Sequence, residues 1–191
     1  NNTQGFWKYD VVDDTWLQSK NVPTGLSNKK VKEGANVAYV TKGSDNFVYL
    51  LKGYKAEFWA YDIAHDTCLA KHDIPTTVAK VKNGSFVAYD GSQYLYAAQG
   101  TYHEFWRYDV TSDTWSKKLS AYPFVYTINN PGLRSKKLKG GGCGAYDDGA
   151  VYSLKGGNTL QFFRYDVADD TWTSKESMPN KASYSTSAKK V

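Results

Sequence analysis

Methionine occurs once in the 191 residues, cysteine twice, histidine three times and proline five times. Helix bundles fill their cores with Leu, Ala and Met, so one Met beside sixteen Tyr, eight Phe and six Trp points to flat β-surfaces. Cys68 and Cys143 are too few for the disulfide framework of a small secreted domain, and neither lies in a CxxC pair; both are expected to be free, buried thiols. His65, His72 and His103 fall in a turn, at a strand end and in a loop, a scatter that spells no metal site. No apolar run approaches the roughly 18 residues that cross a bilayer. No charged segment leads into an apolar stretch at the start, so no targeting signal is read there. Gly140-Gly141-Gly142 runs into a strand pattern rather than a helix, which argues against a phosphate-binding loop. A formal charge of +5 is modest for this length and leaves an anionic partner open.

What is present is a repeat. FWKYDVVDDTW at 6–16 returns as FWAYDIAHDTC at 58–68, FWRYDVTSDTW at 105–115 and FFRYDVADDTW at 162–172, setting Tyr9, Tyr61, Tyr108 and Tyr165 at intervals of 52, 47 and 57 residues. That period suits a four-stranded β-unit better than the shorter, Leu- and Ala-rich helical repeats. Trp7, Tyr9 and Val11 alternate as a strand requires, as do Trp106, Tyr108 and Val110. An Asp after each tyrosine and an Asp-Thr pair before the next strand bracket a turn in which short polar side chains bond backbone N–H groups. The paired acids Asp13-Asp14, Asp147-Asp148 and Asp169-Asp170 are therefore read as turn residues.

Two more strand-like segments precede each of the last three anchors. GANVAY at 34–39, GSFVAY at 84–89 and GCGAY at 142–146 read as first strands; FVYLLKG at 47–53, YLYAAQG at 94–100 and VYSLKGG at 151–157 read as second strands. Asp90-Gly91 and Asp148-Gly149 supply the positive φ of tight hairpins between them. Four-strand meanders are predicted at 30–71, 80–119 and 136–177, with strands three and four of an earlier unit in 1–20 and a further first strand in 182–191.

Gly53, Gly100 and Gly156-Gly157 end the second strands, where a missing side chain permits close backbone approach. A tyrosine, six residues and a tryptophan then follow, as Tyr9 to Trp16, Tyr108 to Trp115 and Tyr165 to Trp172, with Cys68 replacing the tryptophan after Tyr61. This combination resembles the kelch repeat over nearly the whole chain. The resemblance implies an all-β fold, a kelch-like β-propeller of four-stranded antiparallel blades, with three complete blades and partial blades at the termini. Propellers close with about four to eight blades. A segment of a longer propeller is therefore expected, the alternatives being an incomplete fourth blade or a ring shared between two chains. Open blade edges would favour self-association. Some kelch-like propellers are copper radical oxidases, but the His, Tyr and modified-Cys set that this would imply is missing. Asp-Thr-Trp is similar to the sialidase Asp-box but lacks its internal glycine.

Candidate ligand-binding residues come from the loops. Lys29, Lys30 and Lys32, then Lys80 and Lys82, then Lys136, Lys137 and Lys139, and finally Lys189 and Lys190 precede successive first strands; in a propeller they would ring one mouth of the channel. Lys30, Lys82 and Lys137 represent that rim. A solvated face inherited by duplication is the plainer account of it. Tyr54, Tyr102 and His103 lie in loops between strands two and three, where aromatics with polar neighbours suit sugars or peptides. Glu57 and Glu104 align with Gln161 and are read as structural hydrogen-bonding groups. Arg134 stands in the long irregular stretch from 121 to 135.

The reading is a non-catalytic interaction or scaffold module with no cofactor and no metal. Its expected partner is a protein or an anionic or neutral glycan surface, without nucleic-acid binding or membrane insertion. The Tyr, Asn, Ser and Thr content resembles that of bacterial secreted or cell-surface kelch-like proteins, which implies an extracellular place. A lectin-like propeller, a structural subunit of a surface assembly, and part of an enzyme with catalytic residues outside this segment are the competing readings.

Overall fold

The computed structural model describes residues 3–75, 80–123 and 137–179. Among them the chain forms fourteen strands and no helix, and so no helix long and apolar enough to cross a membrane. Strands β1 (Phe6–Asp10) and β2 (Thr15–Ser19) make a hairpin. Three antiparallel meanders follow. The first joins β3 (Asn36–Lys42), β4 (Asp45–Leu51), β5 (Phe58–Asp62) and β6 (Thr67–Lys71). The second joins β7 (Lys82–Tyr89), β8 (Tyr94–Gly100), β9 (Phe105–Asp109) and β10 (Thr114–Lys118), and the third β11 (Cys143–Asp147), β12 (Ala150–Leu154), β13 (Phe162–Asp166) and β14 (Thr171–Lys175). The segment 182–191 lies outside the described residues.

Turn chemistry sets the register. Asp148 and Gly149 have φ of +39° and +74°, so a two-residue turn joins the Asp147↔Ala150 pair with the twist an antiparallel ribbon needs. Gly43 at φ +60° serves the Lys42↔Asp45 pair in the same way. Asp90 closes the longer β7–β8 loop by accepting the N–H groups of Ser92, Gln93 and Tyr94 at 2.8, 2.8 and 2.9 Å. The anchor strand stops one residue short of the alternation pattern: β1 ends at Asp10, and Val11 stands exposed in the turn.

The sheets stack in chain order, and β7 lies beside both β3 and β11. Alternate side chains of the middle strands therefore enter two different cores. Phe58 and Ala60 of β5 face the second sheet, meeting Leu95, Ala97, Trp106 and Tyr108, while Trp59 turns back to Val22 and Phe6 on the hairpin side. Phe86, Tyr96 and Phe105 then meet Val151, Phe163 and Tyr165 of the third sheet. One edge-on ring contact recurs at each step: Phe6–Tyr61 at 4.8 Å, Phe58–Tyr108 at 5.0 Å and Phe105–Tyr165 at 4.9 Å. Such pairs add about 0.5–1.5 kcal/mol beyond area burial.

Cys68 and Cys143 are free thiols. Cys68 is half-buried, and burial, then Asp66, pushes its thiol up. Cys143 is exposed instead of buried, because its side of β11 faces away from the second sheet.

Candidate functional site

The repeat anchors build a clamp between sheets. After each anchor tyrosine an aspartate, Asp10, Asp62, Asp109 or Asp166, accepts two backbone N–H groups of the following turn. The turn ends on Asp14, Asp66, Asp113 or Asp170, with φ of +51°, +46°, +57° and +51°, a left-handed conformation that Asp tolerates better than most residues. The anchor hydroxyl donates to that carboxylate, at 2.8 Å from Tyr61 to Asp66 and 2.6 Å from Tyr165 to Asp170; Tyr9–Asp14 and Tyr108–Asp113 make the same bond.

The carboxylate also reaches back to the preceding unit. Lys20 N–H donates to Asp66 at 2.8 Å, Ser120 N–H to Asp170 at 2.9 Å, and His72 N–H to Asp113. In two of the three junctions an indole grips the other side of the same residue: Trp115 Nε1 donates to His72 C=O at 2.7 Å and Trp172 Nε1 to Ser120 C=O at 3.1 Å. Lys71 Nζ adds an ion pair to Asp113 at 3.3 Å. Burial alone would raise the Asp113 carboxyl, but Tyr108, Lys71 and the His72 N–H hold it low. Cys68 cannot supply the indole N–H; its Sγ lies 3.9 Å from Asn21 C=O. Tyr61, Tyr108, Trp115, Tyr165 and Trp172 thus fasten one sheet to the next.

The strand-two glycines back onto the turns that precede the first strands. A Cβ on Gly53 would lie 2.4 Å from Lys32 O and 2.6 Å from Ala35 N, and Gly100 and Gly156 are as tightly confined by 82–85 and 140–142. The turns also stack on one another, since a Cβ on Gly84 would lie 2.2 Å from Lys139 O. This puts Lys32, Lys82 and Lys139 at equivalent positions along one rim.

The next position carries Tyr54, Thr101 or Gly157, at φ +61°, +73° and +63°. A left-handed conformation costs a residue bearing a Cβ roughly 1–2 kcal/mol. It is held here by backbone bonds to the following unit, Tyr54 N–H to Val81 O at 2.5 Å and Thr101 N–H to Leu138 O at 2.6 Å. Two ammonium groups sit over the Tyr54 ring, Lys32 Nζ at 4.8 Å and Lys80 Nζ at 4.9 Å from its centroid, while Lys137 Nζ stands 5.8 Å from the Tyr102 ring. Lys82 is half-buried, and Lys30 is exposed. His103 is half-buried, bonded through Nδ1 to Tyr122 O at 3.0 Å; burial and the nearby Lys137 and Lys155 push its imidazole down. Arg134 lies outside the described residues. Among the described residues no group of three His, Cys, Asp or Glu could hold a metal ion.

Sequence reasoning missed a buried ion pair. Lys52 has no exposed surface; its Nζ donates to Glu57 Oε2 at 2.5 Å and to Thr24 C=O, and Ser27 donates to Glu57 through its N–H at 2.9 Å and its hydroxyl at 2.8 Å. Burial would raise the Glu57 carboxyl, but Lys52 and Ser27 outweigh it and hold it low. Gln99 and Lys155 occupy the position of Lys52 in the other sheets; Gln99 Nε2 donates to Lys80 O at 2.8 Å, whereas buried Lys155 Nζ has no hydrogen-bond partner among the described residues. Burial pushes that amine down to about 8. The legible signal was a Lys or Gln before the strand-two glycine with Glu or Gln ahead of the anchor. No protein-family model and no curated protein matches the chain.

Proposed function

We propose that the chain is a segment of a kelch-like β-propeller, and that it acts outside the cell or at its surface as a non-catalytic module binding an anionic polymer along its lysine rim. The meanders, stacked with β3, β7 and β11 side by side and clamped at every junction, support the propeller reading. Rigid stacking of this kind suits presentation of loop residues better than motion around a reacting group.

Tyr54 carries the functional reading. A bulky residue in a left-handed conformation is a backbone outlier, and such outliers cluster at ligand clamps. Here the outlier holds an aromatic face between Lys32 and Lys80, so that two ammonium groups and a ring share one patch of the rim. A sulfated or uronic-acid glycan offers the matching charges and an apolar sugar face.

Tyr54→Gly removes the ring while keeping the left-handed backbone, and Lys32→Ala with Lys80→Ala removes the charges. On an acidic-glycan array the wild type is expected to bind in a salt-sensitive manner, and each variant to bind about tenfold more weakly, the equivalent of 1.4 kcal/mol. No retention on acidic glycans, or variants that bind as the wild type does, would overturn the reading. Salt-insensitive binding to neutral glycans would move it to a lectin-like propeller.

A further inference from the structure

Among the described residues, the complete clamp carried by the β1–β2 hairpin has no main-chain group from another unit in its grip. Tyr9 bonds Asp14 and packs its ring 5.1 Å from Trp16, as Tyr165 does with Trp172 at the same distance. Yet Tyr9 is 41% and Trp16 65% exposed, whereas Tyr61 is 8% exposed and Tyr108 and Tyr165 are fully buried. Trp7, 52% exposed and on the same face as Tyr9 and Trp16, extends this uncovered surface.

The third sheet carries the reciprocal feature. In every unit the residue two places beyond the clamped one bonds back to its own unit: Val22 N–H to Gln4 O, Ile74 N–H to Ala56 O and Tyr122 N–H to His103 O. These follow the clamped residues Lys20, His72 and Ser120. Met178 N–H bonds Leu160 O at 2.9 Å, which makes Glu176 the corresponding residue after β14. Lys175, the last residue of β14, corresponds to Lys71, which pairs with Asp113. Both Lys175 and Glu176 are exposed.

We propose that a second copy of this chain docks head to tail on the hairpin. Glu176 of one copy donates its N–H to Asp14 of the other and accepts from Trp16 Nε1, and Lys175 pairs with Asp14. The Lys71–His72 junction with Asp113 and Trp115 is the template, and the chain forms related junctions at Asp66 and Asp170. Such an interface is heterologous: its two surfaces differ, so assembly continues into a ring or a filament unless one surface is blocked.

Blocking each surface separately tests this. Asp14→Gly with Trp16→Ala disables the head, and Lys175→Ala with Glu176→Pro disables the tail; all four positions are exposed, so circular dichroism and the melting temperature should match the wild type. Trp16→Phe, which keeps an aromatic ring but shortens it and deletes the indole N–H, serves as a milder head variant. In light scattering the wild type is expected to associate with rising concentration, each blocked variant to be monomeric, and Trp16→Phe to associate at least tenfold more weakly. A one-to-one mixture of the two blocked variants has one usable head and one usable tail, and should stop at dimers. A wild type that stays monomeric, blocked variants that assemble as it does, or a mixture that stays monomeric would each overturn the proposal.

Discussion

The first and third four-stranded sheets place the same residue at the same buried position and treat it differently. Lys52 and Lys155 both stand before the strand-two glycine, and neither has exposed surface. Each also makes the same backbone bond, Lys52 N–H to Glu57 O and Lys155 N–H to Gln161 O, both at 3.2 Å. Only Lys52 finds a carboxylate, and through Thr24 and Ser27 that pair also ties the connection from β2 to β3 onto the sheet. Lys155 faces the Phe163 ring at 5.8 Å and has no acceptor among the described residues. The difference teaches that repetition preserves a position while the local partner decides whether its charge holds the structure together or weighs on it.

Replacing each lysine with an apolar side chain of similar length gives the widest separation. Lys52→Met strands a Glu57 carboxylate that is only 7% exposed, so a loss of about 3–5 kcal/mol is expected. Lys155→Met removes a buried amine that lacks a partner among the described residues, so a gain of about 1–3 kcal/mol is expected. Urea midpoints at neutral pH, with unchanged slopes, would measure both. Equal losses from the two substitutions would break the comparison.

Alkaline titration gives the next effect. The folded protein holds the Lys155 amine near 8, below its ordinary 10.5, so between those values the unfolded chain binds more protons and stability rises with pH. The penalty is fully present below about 8 and is relieved as pH climbs towards 10.5, a change on the order of 3 kcal/mol. The quantity to measure is the wild-type stability minus that of Lys155→Met across this window. A flat difference would mean that the amine is solvated.

Four anchors in register were enough to read the strand order of each unit, the antiparallel meander and the Asp148-Gly149 hairpin turn, because turn residues and period-two alternation are local signals; Asp90-Gly91 instead opens a four-residue loop. The clamp was half legible. Tyr, Asp and Trp recur at fixed spacing, but the groups they grip are main-chain atoms of Lys20, His72 and Ser120, which carry no side-chain signature. Gly53 and Gly100 likewise announced a tight approach without naming the turns they meet. Tyr54 and Tyr102 were both legible as loop residues between strands two and three; Tyr54 shares its left-handed site with Thr101 and Gly157, and Tyr102 stands one residue later. The Lys52–Glu57 pair was hidden because a lysine before a loop glycine reads as surface. Its burial comes from Thr24 and Ser27, 28 and 25 residues earlier.

The smallest expected effect comes from giving Lys155 the partner that Lys52 has. Gln161→Glu places a carboxyl where Glu57 stands in the first sheet, and the matched 3.2 Å backbone bonds put the two positions in the same relation to their lysines. Pairing offsets part of the cost of burying the amine, but the new carboxylate must itself lose water, so the net gain at neutral pH should be only about 1 kcal/mol. The pH profile reads the change more sharply than the midpoint. Pairing raises the amine back towards its ordinary value and flattens the alkaline rise. It also lowers the new carboxyl, adding stability that is present above its unfolded value and lost as pH falls through the folded one. A variant that keeps the wild-type alkaline rise would mean that the extra residue in the loop from 155 to 161 holds position 161 out of reach of the amine.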